Sequence, residues 1–287
     1  VTLAAGAVDR PVLPRSSNKP VQATAMLAAG WAPRSPAELA IGAGSHNGED
    51  AHRDLAAAVL AAAGLTTDDL GCPVALPQHE ATRADWIATG RAPERLAMNC
   101  SGKHAAMLAA CVAAGWPTAG YLDREHPLQQ AIEARLSDAA GEPVAAVVVD
   151  GCGAPQHALS VTGLARGVLS LVQAAEGTRE RAVADAMRAE PWFVAGTGRE
   201  DTELMRAVPG LLVKGGADGV HVAALPGRGA VALKIDDGGE RGRTPALCAG
   251  LLRLGVAAEV LAPWLQLPVS GGDGVVGEVR AVASLIA

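Results

Sequence analysis

The sequence predicts an α/β sandwich of the α+β kind, a central sheet flanked by helices. Three observations predict it. Helix-period and strand-length apolar segments interleave, but without the strict βα alternation of a barrel or a Rossmann fold. The strand-length runs are bounded by Gly or Pro, as turns require. The 287 residues include 34 Gly and 18 Pro but only five Trp, one Tyr and one Phe. Ala, Val and Leu must therefore build the core, and Ala-rich helices pack closely.

Taken in order, helical patterns fall at 20–29, 50–63, 104–115, 127–140, 179–189 and 244–254. Pro127 follows His126 and suits the first turn of the fourth, where its missing N–H has no acceptor to lose. Strand-length apolar runs lie at 145–149, 211–214, 220–225 and 230–235. No internal repeat, charge block or low-complexity linker divides the chain, so one domain over 1–287 is expected.

With 24 Lys and Arg against 30 Asp and Glu, the net charge is −6. That gives no electrostatic footprint for nucleic acid or an anionic membrane, so the expected partner is a small molecule. The five cysteines, at 72, 100, 111, 152 and 248, are odd in number and lack framework spacing. A reduced, cytoplasmic setting follows as the expectation. The longest apolar stretches, such as Ala105 to Trp116, run about twelve residues, too short to span a bilayer. The chain opens on Val1-Thr2-Leu3 without an initiator Met, which leads us to expect a missing or removed N-terminal segment.

The densest chemistry lies in Cys100-Ser101-Gly102-Lys103-His104, after Asn99 and ahead of an Ala-rich helical pattern. It packs a soft metal ligand, an amine and an imidazole into one turn. A second cysteine, in Asp150-Gly151-Cys152-Gly153, ends an apolar run. Thiolates near nitrogen donors are what a zinc-class ion prefers. Cys100 and His104 are four apart on a helical face, so His104 is an alternative to Lys103 as third donor, and both cysteines could equally be inert buried thiols.

A second constellation begins at Pro14-Arg15-Ser16-Ser17-Asn18-Lys19-Pro20. Ser16 and Lys19 are three apart, which in a first helical turn sets hydroxyl and amine on one face. A neutral lysine there can take the serine proton. Lowering a lysine pKa from about 10.4 to about 7 means roughly 4–5 kcal/mol of destabilisation of the ammonium, which burial or a second cation can supply. The alternative is that Ser16 caps the helix and Lys19 is solvated. Further along, Gly44-Ser45-His46-Asn47-Gly48-Glu49 forms a Gly-rich loop before a helix, and Val213-Lys214-Gly215-Gly216 ends a strand-like run. An S-x-x-K helix, a second serine loop and a K-[ST]-G strand are the three parts of serine β-lactamases and penicillin-binding proteins. Here the third part reads Lys-Gly-Gly and lacks the hydroxyl, and Lys214 could also be a surface lysine at a strand end.

These segments, with Asp9 to Gln22, Ser45-His46-Asn47-Gly48-Glu49, Asn99 to His104, Gly120-Tyr121, His126-Pro127, Asp150 to Gly153, Ala195-Gly196-Thr197, Lys214 to Gly219 and Ala232 to Gly238, together resemble the asparaginase II family. This is the Rhizobium-type, zinc-containing class. The likeness runs in order from about residue 9 to 280, with Cys-Ser-Gly-Lys-His and Asp-Gly-Cys-Gly as its specific parts. It implies a serine β-lactamase or glutaminase-like fold, a homodimer, and hydrolysis of L-asparagine to L-aspartate and ammonia. It further implies two Ser-Lys pairs, Ser16 with Lys19 and Ser45 with Lys214, and Zn2+ on Cys100, Lys103 and Cys152. Asp150, Arg15 and His46 would lie at the substrate, although Asp150 could instead cap a turn or bind metal. Zinc would orient substrate rather than activate water, since a serine supplies the nucleophile.

Three departures accompany the likeness. The family's N-terminal strands ahead of Asp9 are expected to be largely missing. Its Cys-Gly-x-His-x-Pro segment reads Cys72-Pro73-Val74-Ala75-Leu76-Pro77, with Ala75 in the histidine's place, and Lys214-Gly215-Gly216 lacks the hydroxyl. Two other readings stay open: another Ser-Lys acyl hydrolase, such as a β-lactamase-like amidase or a glutaminase, and a zinc-binding member without catalysis.

Overall fold

Capping chemistry in the sequence sets the helix limits. In the computed structural model, which describes residues 1–282, a short strand β1 (Pro11–Val12) and a 3-10 turn (Arg15–Asn18) lead into α1 (Lys19–Ala28). Then come α2 (Pro36–Gly42), α3 (Asp50–Ala62), α4 (Glu80–Ala88), α5 (Ser101–Ala114) and α6 (Pro127–Ala140). Pro127 occupies the first turn of α6, the His126 side chain accepts the Leu128 N–H, and Gly141 ends the helix in the left-handed region.

The hairpin β2 (Ala146–Val149) and β3 (Pro155–Ser160) follows, and β3 runs straight into α7 (Val161–Gln173). The Ser160 hydroxyl caps α7 by accepting the Gly163 N–H at 2.8 Å, so one residue ends the strand and opens the helix. Next are α8 (Arg179–Ala189), α9 (Pro191–Val194) and α10 (Glu200–Ala207). The antiparallel strands β4 (Leu212–Gly215), β5 (Val220–Leu225) and β6 (Gly229–Lys234) come before α11 (Arg243–Arg253), α12 (Ala258–Leu265) and the hairpin β7 (Gln266–Gly271) with β8 (Gly274–Arg280).

The class is α+β, but the single central sheet is replaced by three small antiparallel sheets among the described residues, ordered β1-β3-β2, β4-β5-β6 and β7-β8. Helix α7 packs on β3 as well as on β5 and β6, and so lies against both of the first two sheets. Its apolar face, with Leu164, Val168, Leu171 and Val172, joins one hydrophobic cluster that runs in sequence from Val21 to Leu261. The domain expected over 1–287 ends with 283–287, which lie outside the described residues.

Every predicted helical pattern and strand run has its element, with bounds shifted by three residues at most. The sequence reading passed over β1, α2, α4, α9, α10, α12, β7 and β8, and with them α7, whose Gly163 and Gly167 look like breakers, and β3, which opens on a proline.

Candidate active site

Ser16 and Lys19 stand at the entrance to α1. Arg15, before them, has φ of +54°, a left-handed conformation uncommon for a residue with a Cβ. The turn so made sends the guanidinium across to Asp150 Oδ1, 2.6 Å from Nε, and to Asp218. It is Ser17, not Ser16, that closes the turn locally, by donating to Pro14 O at 2.7 Å. Ser16 makes no side-chain hydrogen bond among the described residues and is left facing a cleft of about 590 Å³ that Arg15, Asn99, Cys100, Asp150 and Cys152 also line.

Lys19 is 1% exposed, so it is not the solvated lysine of the alternative reading. Its Nζ lies 2.7 Å from Gly44 O, 2.7 Å from Ser45 Oγ and 3.0 Å from Cys100 Sγ. The structure thus pairs the groups differently from the expectation of Ser16 with Lys19 and Ser45 with Lys214. A lysine side chain beginning at the first residue of α1 runs forward under the turn, past its own serine, to the loop between α2 and α3.

Ser45 is held there by backbone bonds: its N–H donates to Val194 O at 2.7 Å, and the His46 N–H donates to Asn99 O at 3.0 Å. Glu49 accepts the Thr197 N–H at 2.9 Å and hydroxyl at 2.8 Å, which ties Ala195-Gly196-Thr197 to the same loop.

Lys214, at the end of β4, donates to Gly215 O at 2.7 Å and Asp201 Oδ2 at 3.2 Å, and makes no hydrogen bond to Ser45. It is 1% exposed and so is not a surface lysine. Burial lowers its pKa to about 8, with Asp201 pulling it up and the charges of Lys19 and Arg199 pushing it down. Lys214 therefore senses the charge of Lys19. Gly216 lets β4 end against the turn that carries Ser16, since a Cβ there would come within 2.5 Å of Pro14 O.

His46 has no free ring atom to offer a substrate. Nδ1 accepts the Gly48 N–H at 3.1 Å, so Nε2 carries the proton and donates to Ser101 Oγ at 3.0 Å. The ring is fully buried, and burial holds its pKa well below the usual histidine range. It joins the Ser45 loop to the start of α5.

The thiols come together from two elements. Cys100 precedes α5, and Cys152 sits in the β2–β3 turn that Asp150 and Gly153 close. They pack together with Ala154, and Lys103 Nζ lies 3.2 Å from Cys152 Sγ. The neighbouring Cys100 thiol and the Lys103 charge drive Cys152 well below the usual thiol range, while the Cys152 sulfur and burial drive Cys100 well above it.

No group of three or more His, Cys, Asp or Glu side chains that could hold a metal occurs among the described residues, and Lys103 is the amine beside the two thiols. Lys103 is 2% exposed. His104 Nδ1 accepts from the Tyr121 hydroxyl at 2.6 Å, which in turn accepts the Gly71 N–H at 2.8 Å. His104 Nε2 then bears the proton. It is buried without a hydrogen-bond partner and lies near Cys152. Two thiols and an amine form a donor set that fits a soft divalent cation.

Sequence reasoning missed Asp201 and His221. His221 Nε2 donates to Asp201 Oδ1 at 2.8 Å, beside the Lys214 contact. A histidine inside the apolar run of β5 was the available signal; Asp201, among the acidic residues at the start of α10, gave none.

No helix among the described residues is long and apolar enough to cross a membrane. A search of curated proteins finds no match to this sequence. The family model described as L-asparaginase II matches residues 1–281. With a match over nearly its full length, the chain belongs to the L-asparaginase II family.

Proposed function

We propose that the protein hydrolyses the side-chain amide of L-asparagine to L-aspartate and ammonia by acyl transfer through a serine. The observation that carries this reading is the buried Lys19–Ser45 contact of 2.7 Å beneath a cleft lined by Ser16. A hydroxyl open to substrate and a lysine-bound hydroxyl behind it supply the nucleophile and the proton acceptor that amide cleavage needs.

Ser16 attacks the amide carbon, because it is the serine whose side chain lines the cleft. Its proton passes to the Lys19–Ser45 pair, and the departing ammonia takes a proton back from the lysines. The Asn99 side chain lines the cleft beside Cys100, and its amide N–H would donate to the developing oxyanion. Arg15 and Asp150, 2.6 Å apart at the cleft wall, offer opposite charges to the substrate's carboxylate and ammonium. Water then releases aspartate from the ester.

A second reading makes Ser45 the nucleophile, favoured by its direct contact with Lys19. A diazoketone analogue of asparagine separates the two. Peptide mapping of the labelled protein should place the adduct on Ser16; an adduct on Ser45 would favour the second reading, and no adduct on either serine would remove both.

Cys100, Cys152 and Lys103 would hold Zn2+. Bound there, it would supply a positive charge that orients the substrate at the cleft wall. A homodimer belongs to the same proposal, and light scattering on the purified protein tests it.

A further inference from the structure

The K-[ST]-G strand of Ser-Lys acyl hydrolases supplies a hydroxyl after its lysine, and here Gly215 supplies none. The space is not empty. A Cβ on Gly215 would meet Asp201 Oδ1 at 3.3 Å and Oδ2 at 3.5 Å, so the carboxylate stands where a hydroxyl-bearing side chain would point. We propose that Asp201 is a positioning residue for Lys214, its carboxylate taking over from the missing hydroxyl, with His221 holding that carboxylate in place.

Asp201 is 3% exposed. A buried carboxylate is costly unless it is paired and hydrogen-bonded, and this one accepts from Lys214 Nζ at 3.2 Å, Gly215 N at 2.8 Å and His221 Nε2 at 2.8 Å. Gly215 and His221 are partners in the β4–β5 ladder, so the backbone register delivers two of these donors to one point. His221 is fully buried and its Nδ1 has no hydrogen-bond partner, so Asp201 is its one side-chain link. Lys214 reaches no other side-chain acceptor among the described residues. The titratable and charged groups around it are Asp201 at the start of α10, Arg199 just before that helix, Lys19 at the start of α1 and His221 on β5. Arg15, on the adjoining turn, is taken by Asp150 and Asp218. Asp201 is thus the only anion among these groups that bonds Lys214.

The inference rests on the reading that Lys214 serves the reaction, and the test separates the two. Ammonia release from L-asparagine is followed against pH for the parent, Asp201→Asn, His221→Asn and Lys214→Met proteins. Asp201→Asn should lower kcat about tenfold or more, leave KM within about threefold, and move the limb near pH 8 toward acid by about one unit, since the lysine loses the charge that sustains its proton. Asp201→Glu, which keeps the charge, should restore part of the rate. His221→Asn should move the same limb toward alkali, because the carboxylate then shares less of its charge. That direction alone decides the matter if Asp201→Asn does not fold. An impaired Lys214→Met beside an Asp201→Asn with parental kcat and limb would overturn the inference. A fully active Lys214→Met would overturn the role given to Lys214.

Discussion

Lys19 Nζ lies 2.7 Å from Ser45 Oγ and 3.0 Å from Cys100 Sγ, so one buried lysine nitrogen joins the hydroxyl chemistry of the site to its thiol chemistry. Replacing the lysine leaves the thiols in place but removes the proton acceptor. Lys19→Met should therefore lower kcat by about 10²–10⁴-fold, the usual contribution of a positioned acid–base group, with zinc content measured by atomic emission unchanged. Loss of zinc in parallel with activity would make the lysine a support of the thiols instead.

Cys152 and Lys103 meet at 3.2 Å in a buried corner of the cleft. Cys152→Ala removes a thiol donor, and Lys103→Met removes the amine while keeping the bulk. Both variants should purify with zinc cut by about tenfold or more, in keeping with the loss of one protein donor of three. Full zinc in Lys103→Met would return the third position to His104.

His46 is expected to act through the Ser45 loop and not by touching substrate. His46→Gln would lose at least one of two buried hydrogen bonds, which is worth about 1–3 kcal/mol. Thermal denaturation should show that loss, and kcat should fall with little change in KM. A raised KM at unchanged stability would put the ring at the substrate.

Gly216 faces Pro14 O, where a Cβ would approach to 2.5 Å against backbone. Gly216→Ala must push the strand end and the Ser16 turn apart. A kcat reduced by about tenfold or more is expected, since small displacements of reacting groups are costly. Unchanged kinetics would mean that the turn yields freely.

His157, on β3, is fully buried and neither ring nitrogen has a hydrogen-bond partner. Burial lowers its pKa to about 4, against the partial support of Glu133. The unfolded chain therefore takes up a proton below about pH 6.5 that the folded protein refuses until about pH 4. Stability should fall as pH drops through that window, by about 3 kcal/mol from this residue. Urea denaturation at several pH values checks it, and His157→Gln should flatten the slope.

Much of the fold was legible because caps and periodicity are local. Pro127 and His126 mark the start of α6, and 220–225 is both the predicted run and the observed β5. The division into three sheets was not legible, because the choice between one ladder and several depends on how distant strands meet. Helix α7 was hidden by Gly163 and Gly167, of which Gly163 gives way to the Glu142 side chain. In the site, the convergence of Cys100, Lys103 and Cys152 followed from the family resemblance, while their motifs alone left His104 open. The partner of Lys19 could not, since spacing along a helix favours Ser16 while the folded side chain reaches a loop 26 residues away. Asp201 stayed silent because acidic residues in a first helical turn are ordinarily explained by the helix dipole.

The most direct test is ammonia release from L-asparagine by the purified protein, with L-glutamine as competing substrate and Ser16→Ala and Ser45→Ala variants alongside. Release that favours asparagine and is abolished in Ser16→Ala and strongly reduced in Ser45→Ala is the predicted result. A folded, zinc-loaded protein that releases no ammonia, or one whose turnover survives the loss of both serines, would contradict acyl transfer at this site.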